Sequence, residues 1–360
     1  MNVLILANYD RGLYLFRREL IEELLKKHRV FVSVPDGDCV GKLTEMGCTV
    51  IKTKLSRRGT DPIEDLKLMK EYLKIIRETS ASVVLTYTIK PNVYGGIACQ
   101  LRKVPYIANI TGLGTALENP GVLQLITKNL YKAGLRKAQK VFFQNEANRD
   151  FMREKGIVTD RYDLIPGSGV NLDSFPLMEY PDTDETHFVY IGRIMKQKGF
   201  DQYADAARHF RGRKCFFHVC GFCEEGYSDI LNGLIEDGTI IYHGNVDDMR
   251  PIYQMISCTV HPTYYPEGMS NVLLESLACG RPIITTDRPW CREIVEDGVN
   301  GFVVKERDSE DLIDKIEKFL KLSREERKEL GIRGRKKVES CFDRKIVIDK
   351  YLKEIECLDR

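Results

Sequence analysis

A chain of 360 residues with a formal net charge of +2 has room for two domains and no charge excess that would draw it to nucleic acid. It contains no run of about 18 apolar residues, so no membrane-spanning helix is expected. Its start, Met1-Asn2-Val3-Leu4-Ile5-Leu6, is too short and lacks the basic flank of a signal peptide. Eleven cysteines scattered through apolar stretches fit a reducing, cytoplasmic setting better than a disulfide framework.

Strand-like and helical patterns alternate along the chain. Residues 2–7, 30–34, 48–52, 83–87, 106–110 and 140–143 read as strands. Between the first two, Phe16, Leu20 and Leu24 recur at helical spacing, with Leu13 and Leu25 on the same side. A glycine-bearing turn, Tyr9–Leu13, is expected between the first strand and this helix, and Gly12 is taken as a donor-side residue there. A polar, proline-bearing stretch around 175–186 marks a break. The scheme then repeats, with strands expected at 187–191, 215–220, 239–243, 258–261, 282–286 and 301–304. Such alternation predicts an α/β chain of two Rossmann-like domains, each a parallel sheet covered by helices on both faces. The expected divisions are 1–175, a linker at 176–186, 187–341, and a final helical segment at 342–360 that packs back on the first domain.

Two clusters imitate metal sites. Cys215, His218, Cys220 and Cys223 have ligand chemistry, but on a strand Cys215 and His218 point to opposite faces, so they read as small strand-end residues. Asp36-Gly37-Asp38 reads as a turn and helix cap. No metal is assigned.

The chemistry concentrates in the second half. Glu267 stands in the turn Pro266-Glu267-Gly268-Met269-Ser270-Asn271, and Glu275 falls about one turn inside the short helix that follows, which Gly280 ends. A helix start offers unpaired N–H groups and partial positive charge to an anion. Gly192-Arg193-Ile194-Met195-Lys196-Gln197-Lys198-Gly199 places two cations after an expected strand. Arg193 and Lys198 suit a diphosphate, with amides of Gly268, Met269 and Ser270 beside them; Glu267 suits sugar hydroxyls and Glu275 a ribose. The base is expected near 243–246, with Val246 among its contacts. Together these features predict a nucleotide-sugar site.

These two stretches resemble family 4 retaining glycosyltransferases of the GT-B fold, across essentially the whole chain. The resemblance implies that Arg193 and Lys198 bind the donor diphosphate, and that Glu267 and Glu275, the ends of the E-x7-E element, bind donor sugar and ribose. Glu267, Arg193 and Lys198 are the implied catalytic set, with Asn271 an added donor contact. No metal and no cofactor are implied. Residues 86–95, 109–114, 165–171 and 287–289 resemble a bacterial subgroup that builds surface polysaccharides or glycans on undecaprenyl diphosphate and includes the N-acetylgalactosaminyltransferase of bacterial N-glycosylation. The donor expected from the subgroup is UDP-linked, and the acceptor a lipid-linked saccharide. Lys90, Asn92, Thr111 and Gly112 are the acceptor-side candidates. The chain departs from many relatives in having only His28 before residue 187, which leaves the first domain without a candidate cleft histidine, and in carrying Trp290 where glycine is usual; Trp290 is read as packing on the surface.

The interval between Glu118 and Glu146 has no acidic residue and carries Lys128, Lys132, Arg136, Lys137 and Lys140 among leucines. This basic helix, 120–140, and a second run of Lys52, Lys54, Arg57 and Arg58, predict peripheral attachment to an anionic membrane on its inner face. The alternatives are a sugar-nucleotide epimerase or hydrolase on the same scaffold, or a non-catalytic partner in a polysaccharide assembly complex.

Overall fold

The computed structural model describes residues 1–55, 61–114, 117 and 121–358. The chain forms two compact units. Unit 1 comprises Met1–Gly169, Pro266–Met269 and Lys345–Arg360; unit 2 comprises Val170–Tyr265 and Ser270–Arg344.

Unit 1 contains β1 (Asn2–Leu6), α1 (Asp10–Leu25), β2 (Arg29–Val34), α2 (Val40–Glu45), β3 (Thr49–Lys52), α3 (Pro62–Glu78), β4 (Val83–Tyr87), α4 (Gly96–Arg102), β5 (Tyr106–Ile110), α5 (Val122–Leu135), β6 (Lys140–Phe143), α6 (Glu146–Glu154) and β7 (Tyr162–Leu164). The sheet order is β3-β2-β1-β4-β5-β6-β7 and every pairing is parallel. Val3, Leu4, Ile5 and Leu6 are fully buried, as a central strand covered on both faces requires. Leu4 and Leu6 join Tyr72, Ile75 and Tyr131 on one side; Val3 and Ile5 join Leu20, Leu24 and the C-terminal Val347, Ile348, Tyr351 and Ile355 on the other. Local chemistry fixes helix starts. The Asp61 side chain accepts from the Ile63 N–H ahead of α3, with Pro62 in the first turn, and the Asn145 side chain accepts from the Asn148 N–H ahead of α6.

Unit 2 contains β8 (Thr186–Ile191), α7 (Phe200–His209), β9 (Cys215–Cys220), α8 (Ser228–Glu236), β10 (Ile241–Tyr242), α9 (Arg250–Met255), β11 (Cys258–His261), α10 (Asn271–Ala278), β12 (Ile283–Thr286), α11 (Pro289–Arg292), β13 (Gly301–Val304), α12 (Ser309–Lys321) and α13 (Arg324–Cys341). Its order is β10-β9-β8-β11-β12-β13, again all parallel. A last helix, α14 (Arg344–Glu356), leads the chain back into unit 1.

Several sequence-based boundaries move. The units divide at Gly169, not after residue 175, and the expected linker is bound to unit 2. Tyr180 is buried and donates to the Ser257 carbonyl, while the fully buried Arg281 guanidinium donates to the carbonyls of Met178 and Glu179. The expected helix from Phe342 begins at Arg344, because Phe342 O accepts from Val170 N–H and Arg344 N–H donates to Val170 O. β7 was missed; Tyr162-Asp163-Leu164 is a three-residue edge strand with no buried run. The strand expected at 239–243 shrinks to two residues, since the Thr239 and Ile240 N–H groups bond to Leu234 O at the end of α8. The Tyr9–Leu13 turn is absent: α1 starts at Asp10, so Gly12 lies in its first turn. Asp38 caps nothing; α2 begins without a side-chain cap, and the Cys39 N–H donates instead to buried Asp10, at 2.7 Å.

Candidate active site

In an open parallel sheet, ligands bind beyond the carboxyl ends of the strands, where the strand order reverses. In unit 2 the reversal lies between β8 and β11. Arg193 follows β8 and Tyr265 follows β11. The Arg193 guanidinium lies 4.8 Å from the Tyr265 ring centre, and the Lys198 ammonium 5.5 Å from it, so one aromatic ring serves both cations. The Tyr190 hydroxyl donates to the Arg193 carbonyl at 2.7 Å and fixes that turn, and Arg193 pairs with Glu224 at 3.1 Å. Lys198 is buried, on a short 3-10 turn that Gly199 closes at φ +75°. A side chain at Gly199 would run into the Pro262 backbone, which holds this loop against the end of β11.

Glu275 stands inside α10, as its spacing predicts. Burial raises its pKa to about 7, although the positive field of Arg344 and a hydrogen bond from Tyr253 oppose the rise. The Tyr253 hydroxyl is 3.3 Å from Glu275 Oε2. Burial thus favours the protonated carboxyl, which can both donate to and accept from a hydroxyl. Ser270 is buried and its N–H donates to Trp290 O at 3.3 Å, so this amide is committed within unit 2 rather than offered to an anion. Asn271 opens α10, and Val246 packs with Phe175, Ile252 and Tyr253. Trp290 is 3 % exposed and does not lie on the surface; Arg288 stacks on its ring at 5.5 Å. His261, at the end of β11, is fully enclosed, and burial together with the Lys198 charge lowers its pKa to about 3. It therefore stays neutral beside the cation pair. Of the suspected metal cluster, Cys215 belongs to one apolar core, whereas His218 lies in a hydrogen-bonded row, 2.9 Å from both His187 and His243.

In unit 1 the reversal lies between β1 and β4. A cavity of about 180 Å³ opens there, lined by Asn8, Thr88, Ile89, Lys90, Thr111, Gly112, Gly114 and Pro266. Lys90, Thr111 and Gly112 thus come together. Lys90 reaches Asp65 at 2.7 Å, and Tyr94 donates to the same carboxylate. Asn92 does not line the cavity. It is fully buried, accepts from Thr86 Oγ1 at 2.7 Å and donates to Asn109 O at 2.8 Å, a core-bracing role. Thr88 holds φ +72°, a costly conformation for a β-branched residue and a mark of a constrained site. The segment carrying Glu267, Gly268 and Met269 also belongs to unit 1. Tyr265, Glu224 and Thr88 escaped sequence reasoning. The Tyr264-Tyr265 pair before Pro266 was a visible signal, and Thr88 stands in the 86–95 stretch that carries the subgroup resemblance; Glu224 had no signal.

Comparison with known proteins gives the family and the fold. Residues 2–145 match the family described as Glycosyl transferase 4-like, and residues 179–337 match Glycosyl transferases group 1. The chain belongs to the glycosyltransferases. It is 26 % identical over 98 % of both chains to the N,N'-diacetylbacillosaminyl-diphospho-undecaprenol alpha-1,3-N-acetylgalactosaminyltransferase of Campylobacter jejuni. It is 24 % identical to the capsular polysaccharide biosynthesis glycosyltransferase CapM of Staphylococcus aureus, over 98 % of this chain and 97 % of CapM. Among solved structures, a glycosyltransferase from Rickettsia africae superposes with a TM-score of 0.83 at 18 % identity, covering 100 % of this chain and 98 % of its own. Anabaena HepE, solved with UDP-glucose, gives 0.82 at 18 % identity over 100 % and 99 %. The fold is GT-B.

Proposed function

We propose that this glycosyltransferase moves a hexose or N-acetylhexosamine from a UDP-linked donor to an undecaprenyl-diphosphate-linked saccharide in surface polysaccharide or glycan synthesis. The observation that carries the reading is the pair Arg193 and Lys198 on one tyrosine ring at the strand-order reversal of unit 2. Two fixed cations in a partly buried setting stabilise the charge that grows on a departing diphosphate. In this reading the bond between the anomeric carbon and the β-phosphate oxygen breaks. The acceptor hydroxyl oxygen bonds to the same face of that carbon, and its proton passes to the leaving phosphate. Glu267 orients the sugar hydroxyls and Glu275 the ribose, and the chain's own cations do the work a metal does in other transferases. The relatives named for capsule and for a diphospho-undecaprenol acceptor support the substrate classes.

The acceptor reading extends to the membrane. No helix among the described residues is long and apolar enough to cross one. On α5, however, Val122, Leu123, Leu125 and Ile126 are exposed, while Thr127, Tyr131 and Leu135 face the core. Lys128 and Lys132 follow on the same helix. This supports peripheral binding by apolar insertion plus attraction to anionic headgroups. Arg57 and Arg58 of the second basic run lie outside the described residues.

The test is incubation with UDP-sugars and diphosphate-linked acceptors, with and without EDTA. EDTA-insensitive transfer with retained anomeric configuration is expected. Absence of transfer and of donor hydrolysis with every common nucleotide sugar would overturn the reading. Anionic vesicles should retain the wild type and lose a variant with Leu123 and Ile126 changed to serine.

A further inference from the structure

The turn that carries Glu267 is seated in a slot built from the ends of β5, β6 and the start of α6, all within unit 1. A side chain at Gly268 would lie 2.7 Å from the Thr111 carbonyl oxygen and strike the Gln144 side chain. One at Gly112 would lie 3.2 Å from the carbonyl carbon of Glu267 and the nitrogen of Gly268, and one at Gly167 would lie 2.7 Å from Met269 Cβ. Backbone therefore meets backbone at close range, which only glycine permits.

Two amide side chains then grip consecutive carbonyls of the turn. Asn145 Nδ2 donates to Gly268 O and lies 3.5 Å from Glu267 O, and Asn148 Nδ2 donates to Glu267 O at 3.3 Å. The orientation of Asn145 is not arbitrary. Its Oδ1 accepts from the Asn148 N–H at 2.8 Å as the cap of α6, so its Nδ2 must face the turn. Asn145 is fully buried and Asn148 nearly so. Gln144, beside them, is braced in turn: its Nε2 donates to Asn109 Oδ1 at 3.2 Å, and Asn109 Nδ2 donates to the Tyr351 hydroxyl at 2.6 Å. A buried network in which each member has a partner holds one geometry.

We infer that Asn145 and Asn148 are positioning residues for transfer: their amide groups clamp the Glu267 and Gly268 carbonyls and so fix the Glu267 carboxylate for the donor sugar. The inference rests on the reading of Glu267 as a sugar-binding group. It adds where that group's precision comes from, namely the cap of a unit 1 helix.

Asn145→Asp is the decisive substitution. Aspartate caps a helix as well as asparagine, so α6 is kept. It cannot donate, and it sets a carboxylate against two carbonyl oxygens. Expected are a folded protein with a melting temperature lowered by the buried carboxylate, an unchanged UDP-induced thermal shift, and a kcat lowered roughly 10- to 100-fold with donor KM little altered, the signature of a misplaced group. Asn148→Asp, which leaves the cap donor N–H in place, should lower kcat in the same direction. If Asn145→Asp does not fold, Asn148→Asp, less buried, carries the test. Wild-type kcat in a folded variant would overturn the inference. Amide hydrogen exchange over 267–270 supplies a readout independent of turnover: it should quicken in the variants while the rest of the chain is unchanged, and unchanged exchange there would also overturn the clamp. If the wild type transfers no sugar, the proposed function fails, while the exchange result still decides the clamp.

Discussion

The two units place their sites at equivalent points of their sheets but build them from different materials. Unit 2 uses ionisable side chains: the cations Arg193 and Lys198, Glu224 on Arg193, and Glu275, whose burial favours its protonated form, arranged around the tyrosines 265 and 253. Glu267 apart, unit 1 uses backbone, hydroxyls and amides: Thr88, Thr111, Gly112, Gln144, Asn145 and Asn148, with Lys90 paired to Asp65 as Arg193 is to Glu224. Charges suit a nucleoside diphosphate, whose two phosphates must be held and then stabilised as they leave. Neutral hydrogen-bonding groups suit saccharide hydroxyls, where selectivity comes from direction rather than field.

Substitutions can break this contrast. The largest effect is expected at Arg193. Arg193→Ala should lower kcat/KM by about 10²- to 10³-fold, as loss of a leaving-group stabiliser does; a loss matched by Lys90→Ala would dissolve the distinction between units. Next comes pH. The Glu275 carboxyl titrates near 7 in the fold against an ordinary value of 4.5, so the fold favours its protonated form. The associated stability is present below the ordinary value and is lost as pH rises from there through about 7, a change on the order of 3 kcal/mol. Glu275→Gln should flatten that part of the stability profile measured by chemical denaturation. It should also abolish any rise of UDP affinity through neutral pH, since the ionised carboxylate accepts hydroxyl hydrogen bonds more strongly than the neutral acid or an amide.

Gly199→Ala tests the loop beneath Lys198. A methyl group there meets the Pro262 backbone at a φ of +75° and should cost about 1–3 kcal/mol, read as a fall in melting temperature. Tyr265→Leu should weaken UDP binding by about 1 kcal/mol, near fivefold, through loss of the shared aromatic ring. The smallest effect belongs to unit 1. Thr88→Gly relieves a left-handed threonine worth roughly 1–2 kcal/mol, and stability should rise or stay level. A clear fall would mean that the Thr88 side chain contributes more than its strain costs.

Legibility in the sequence followed the same contrast. Arg193, Lys198 and Glu275 stand where spacing put them, because short segments between a buried strand and an amphipathic helix leave a charged residue few places to go. The strand runs at 83–87, 106–110, 140–143, 215–220, 258–261 and 301–304 were read to the residue, because continuous apolar stretches in a parallel sheet are local signals. Weak edges were not: β7 has no buried residue, and β10 is two residues long. Trp290 shows the limit from the other side. A bulky ring where relatives usually carry glycine was read as packing on the surface, yet packing enclosed it.

The sequence by itself determined the alternation of strands and helices, the presence of a break near residue 175, and where Arg193, Lys198 and Glu275 fall between strand and helix, since these depend on neighbours within one or two turns of chain; the bounds of the units were set by the fold. Only the tertiary structure decided that Asn92 braces the core, that Ser270 spends its N–H on Trp290, and that Asn145 and Asn148 grip the Glu267 turn more than a hundred residues away. An amide side chain can serve a cap, a core or a ligand equally well, and which carbonyl it meets is set by the folding of distant segments.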